Sequence, residues 1–218
     1  MEKKESVKRE SVSLSNTAGL SARAFAIVKF FVGVCLLPFI YSFSVAFLNE
    51  FSVIEKPVQD SFWAGVVSLL VLFLFIWEPA ILYAKGQRLL EAIFCFLKPL
   101  VKVAPFLLPI YTIIVFLAYG LSAAIFKSAA PLKNFIFLAG FTMALHLIFG
   151  ARSIRSKQGD FLKANYIFGF ALIYIINVSL LAFCLSLVFG EFSFVNFIER
   201  SYRIASDIFY AIFRQLFL

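Results

Sequence analysis

The sequence predicts an all-α, polytopic helical membrane protein with about five transmembrane helices plus two interfacial amphipathic helices. Three observations predict it. Of 218 residues, 62% are hydrophobic and only 15% charged, whereas a soluble domain carries about 25% charged residues. Five stretches are apolar over about 20 residues, enough at 1.5 Å per residue to cross roughly 30 Å of hydrocarbon. Two further stretches set their polar residues on one narrow side of a helix.

Composition also narrows function. The net charge is +8 and the mean hydropathy +0.96, but the basic residues stand beside apolar spans. They read as topology signals and contacts to anionic lipid headgroups, not as a nucleic-acid surface. Cys35, Cys95 and Cys184 each sit in an apolar run without CxxC spacing, so buried thiols acting as small hydrophobes are expected, with no metal and no cofactor.

Residues 1–22 form a Ser-rich, charged segment with too little apolar surface to offset its ordering entropy, and read as a disordered cytoplasmic tail. The apolar run that follows is too long for a signal-peptide core. The first span, 24–48, holds Lys29 near its start and Pro38 near its middle, where the missing N–H predicts a bend. An acidic turn follows at 49–61, with Glu50, Glu55 and Asp60 against Lys56.

The second span, 62–84, carries one acid, Glu78, directly before Pro79. Next, over 86–103, Arg88, Glu91, Cys95, Lys98 and Lys102 recur at steps of three and four. They fall within an arc of roughly 80°, the pattern of a helix lying at the membrane interface. Pro99 is expected to break or kink it. The third span, 104–126, has Pro105 and Pro109 in its expected first turns, where proline costs little. The fourth, 134–150, is short, contains the lone histidine His146 and reads as tilted or partly re-entrant.

A basic connection with Arg152, Arg155, Lys157 and Lys163 leads to the fifth span, 166–189. Its buried Asn177 is expected to bond to another helix. Over 193–218 a second amphipathic helix places Asn196, Glu199, Arg203, Asp207 and Arg214 on an arc of roughly 120°. It reads as an interfacial helix or as a docking face for a membrane-protein partner. No internal repeat is evident, and five spans do not divide into two equal halves.

Thirteen of the twenty Lys and Arg lie in the tail to Arg23, in 85–102 and in 152–163, three segments that share one side. The cytoplasmic-lysine rule then puts the N-terminus inside and the C-terminus outside. A prokaryotic inner membrane is expected, since the N-x-[ST] pattern occurs only at Asn177, within a span.

This topology sets Lys29, Glu78 and His146 each roughly 9–10 Å inside the cytoplasmic end of its helix. An intramembrane charge costs about 3 kcal/mol even on a lenient scale, so the three are expected to meet as a polar cluster flanked by the Pro38 and Pro79 hinges. The cluster reads as a pair that fixes helix register, as a proton or cation site of a small transporter, or as a catalytic centre. No HExxH, GxSxG or second histidine supports chemistry. An accessory or scaffold subunit of a membrane assembly is the leading reading, and a transporter or channel component using Glu78 the alternative.

Overall fold

The computed structural model describes residues 2–76, 79–96, 98–126, 132–156 and 166–217, of which 2–23, 76, 98–102, 126 and 155–156 are described by backbone alone. The described residues are almost all helical, without strands among them. Its elements are α1 (Glu2–Phe51), α2 (Lys56–Val71) continued by a π-helical turn (Leu72–Ile76), α3 (Ala80–Ile93), α4 (Lys98–Leu107), α5 (Ile110–Phe126), α6 (Leu132–Ser156), α7 (Tyr166–Val188) and α8 (Phe194–Phe217).

Four segments are long and apolar enough to cross a membrane: Ala24–Phe51, Lys56–Phe75, Leu132–Ile154 and Tyr166–Val188. A shorter apolar helix, Ile110–Ile125, stands with them. The chain has the make-up of an integral membrane protein, and its outward apolar side chains suit lipid contact.

Where sequence reading and structure differ, backbone chemistry gives the reason. α1 runs unbroken from Glu2 through the segment read as a tail. Extending a helix that already exists avoids the nucleation cost. Pro38 lies inside this same helix, where it leaves the Val34 carbonyl without its usual donor.

The second span is not one helix. It passes into a π turn and ends before Pro79, which is fully buried and heads α3. Phe73 and Tyr83 are ten residues apart, a separation of about 15 Å in a straight helix. Both nonetheless pack on Phe149, each ring centroid 5.7 Å away. The chain therefore turns between them.

The interfacial helix expected over 86–103 is likewise two pieces. Phe94 closes α3 by donating to the Leu90 carbonyl at 2.9 Å, and α4 restarts at Lys98 with Pro99 in its first turn. A proline is tolerated there but would collide with the carbonyl four residues before it in a continuous helix. Tyr83, Gly86 and Leu90 make the buried side of α3, while Arg88, Glu91 and Cys95 are exposed. The fourth span, expected to be short, is the 25-residue α6. It is the most deeply packed of the long segments.

α6 owes that position to glycine. A Cβ on Gly65 of α2 would overlap the Phe137 carbonyl of α6, and one on Gly140 of α6 would overlap the Phe62 carbonyl of α2. Each glycine therefore faces the carbonyl three residues before the other. The helices run parallel, as the pairs Phe62–Gly140 and Phe73–Phe149 show. The segments in contact, Phe62-Trp63-Ala64-Gly65 and Phe137-Leu138-Ala139-Gly140, share three of four residues. This is a short repeat that a whole-chain comparison hides.

Elsewhere, α1 lies along α7 and α8. Gly33 admits the Phe168 backbone, Ser44 bonds the Tyr174 hydroxyl at 2.7 Å, and Phe43 meets Phe197 edge-on. An aromatic core of Phe47, Phe51, Phe62, Phe192 and Phe197 joins the ends of α1, α2 and α8.

Candidate functional site at a break in the third span

Three buried polar side chains, Thr112, His146 and Asn177, stand where the third span is interrupted. Pro105 and Pro109 do not begin a helix, as expected from the sequence, because α4 already starts at Lys98. Pro105 instead lies inside α4, and Leu108–Pro109 separate α4 from α5. The cause is the four-residue spacing of the prolines: Pro109 has no N–H for the Pro105 carbonyl and its ring crowds that oxygen.

A helix leaves its last four carbonyls without donors inside the helix, and in hydrocarbon each must be met some other way. Those of α4 can be followed one by one. The Ala104 oxygen accepts from the Leu108 N–H at 2.9 Å. The Phe106 oxygen accepts from His146 Nε2 of α6 at 3.1 Å, which fixes the imidazole proton on Nε2 because a carbonyl can only accept. The Leu107 oxygen accepts from Asn177 Nδ2 of α7 at 3.0 Å. Pro105 is the one that Pro109 cannot serve.

Asn177 stands at the middle of Tyr166–Val188. Its Nδ2 also donates to the Ile173 carbonyl at 2.7 Å. Its Oδ1, on a residue with 0% exposure, has no hydrogen-bond donor among the described residues. One turn from the break, the hydroxyls of Thr112 and Thr142 meet at 3.1 Å and tie α5 to α6.

His146 also borders a small cleft between α3, the break and α6, shared with Tyr83, Gln87, Tyr111 and Thr142. The Tyr83 and His146 ring centroids are 5.8 Å apart. Gln87 Nε2 donates to the Tyr83 hydroxyl at 3.1 Å, and the Tyr111 hydroxyl donates to the Leu82 carbonyl at 2.7 Å. Gly86 leaves room for the Tyr111 ring, which a Cβ would approach to 2.7 Å.

Of the cluster expected from the sequence, His146 is thus engaged with α3 and α4. Lys29 is buried on α1, its ammonium 4.2 Å from the Phe25 ring centroid. The two residues stand on helices that are not close packing partners. Glu78 lies outside the described residues, as do Trp77 and Lys157. Arg88 and Arg152 are exposed, and Lys98, Lys102 and Arg155 are described by backbone alone.

No group of three or more His, Cys, Asp or Glu with the spacing of a metal site occurs among the described residues. The interhelix bond expected of Asn177 is present. What sequence reading missed is its acceptor, the end of α4, although the spacing of Pro105 and Pro109 announces a carbonyl without a donor.

Family models, curated proteins and solved structures all return no match to this chain.

Proposed function

We propose that this chain is an accessory or scaffold subunit of a membrane assembly. The observation that supports this reading best is α8. Ser193 caps it, accepting from the Asn196 N–H at 3.2 Å. Its buried side is the stripe Phe197, Ser201 and Ala205, whose small residues let α8 lie close to α1. Tyr202, Tyr210, Phe213, Leu216 and Phe217 are exposed by two thirds or more, a surface for lipid or for a membrane-protein partner. The interior polar groups described above serve as ties between helices, which suits a structural part.

The setting proposed is a prokaryotic inner membrane, with the N-terminus cytoplasmic and the C-terminus outside. Arg88, Lys98, Lys102, Arg152, Arg155 and Lys157 would then face anionic headgroups of the inner leaflet. The test is the composition of the complex released from native membranes in mild detergent. Stoichiometric unrelated subunits are expected, and a lone monomer or homo-oligomer would overturn the scaffold reading.

A second reading, a small transporter or channel component with Glu78 as proton or cation site, draws support from the helix ending next to it. Pro79, which follows Glu78, begins a new helix, and interrupted spans are the usual setting of transport sites. Glu78→Gln separates the roles. A transport site predicts normal abundance with lost flux. A register-fixing pair predicts loss of folded protein, partly rescued by Lys29→Met.

A further inference from the structure

We propose that the α4–α5 break binds a small monovalent cation, held by the Pro105 carbonyl and Asn177 Oδ1. The inference goes beyond both readings above, since it concerns neither Glu78 nor α8. Two independent observations support it. The first is the end of α4: its last carbonyls point the same way and form the negative end of the helix dipole, and Pro109 brings no N–H for Pro105. The second is the Asn177 amide seated on that end, with 0% exposure and an Oδ1 that has no donor among the described residues.

Buried acceptors without donors are costly. A cation satisfies them directly, because coordination needs a lone pair and no proton. The ligand class follows from the donors. They are neutral oxygens, carbonyl and amide, of the kind that hold alkali cations where a span is unwound. A divalent ion would lack a carboxylate to offset its charge at this depth. His146 and the amide nitrogen of Asn177 already hold the Phe106 and Leu107 carbonyls, which positions the end of α4 without occupying Oδ1.

The experiment is thermal unfolding of the full chain in lipid nanodiscs, at fixed ionic strength, in sodium, lithium, potassium or N-methylglucamine chloride. A saturable rise in midpoint with sodium or another alkali ion is expected, roughly 3–6 °C at a tenfold excess over the dissociation constant. Equal midpoints in all four salts would overturn the proposal and leave an ordered water as the occupant. Pro109→Ala locates the effect, because the new N–H competes for the Pro105 carbonyl: a folded variant without the rise is expected, and an undiminished rise removes the site from this break. Asn177→Asp serves if that variant does not fold. The carboxylate gives up the Nδ2 bonds to the Leu107 and Ile173 carbonyls, but its added charge is expected to lower the half-saturating cation concentration at least about tenfold, and an unchanged value in a folded variant overturns the assignment.

Discussion

His146 and Asn177 do the same work with different residues, each giving one N–H to a carbonyl at the end of α4. His146→Leu removes the N–H that His146 gives to the Phe106 oxygen. The expected loss of stability is about 1–2 kcal/mol, measured by reversible unfolding in mixed micelles. His146→Gln keeps a donor on the same helix face and is expected to recover part of that loss. Thr112→Val removes a hydroxyl pair, with an expected loss of about 0.6 kcal/mol. His146 was legible as important from its depth in the sequence. Its partner was not, because a backbone carbonyl has no signature of its own until a proline four residues downstream withdraws the donor.

At the scale of the element, close packing rests on a few glycines whose roles are sharply unequal. Gly65 and Gly140 each face a carbonyl of the other helix, whereas Gly120 of α5 has nothing within 4 Å of where a Cβ would stand. Gly65→Ala and Gly140→Ala are therefore expected to lose about 1–3 kcal/mol or more, because the two helices must part. Gly120→Ala is expected to be neutral or to gain a few tenths to about 1 kcal/mol, since alanine orders a helix more readily than glycine. The same unfolding assay ranks all three, and equal losses would refute the crossing.

The extents of the first and fifth spans were readable from apolarity alone. Breaks were harder to place. Pro79 and Pro109 are plain in the sequence, but which proline interrupts a helix depends on where that helix began. Pro99 breaks the helix expected over 86–103 and sits in the first turn of the piece that follows. Pro105 and Pro109 looked like a first turn, and Pro109 is the breaker.

For the whole molecule, all-helical membrane character follows from composition, whereas the packing order does not. Parallel α2 and α6 form the tightest pair although α3, α4 and α5 intervene between them, and no periodicity encodes that choice. The proposed orientation is testable at this scale. Reporter domains fused to the two termini are expected on opposite sides of the membrane, the N-terminal one cytoplasmic. Finding both on one side would refute the lysine-based assignment and move α8 to the inner surface.

The glycine crossing also has a consequence in time. Gly140 follows Gly65 by 75 residues, which a ribosome adding about 5–20 residues per second takes roughly 4–15 s to make. Throughout that delay α2 waits in the bilayer with its small-residue face open and its partner unmade. Its face matches α6 in the FxAG segment, so two newly inserted copies of α2 are substitutes for the proper pair. Crowded synthesis is then expected to yield more mispaired chains, and slower expression more correctly assembled ones, as the fraction of monodisperse protein extracted at two induction levels would show.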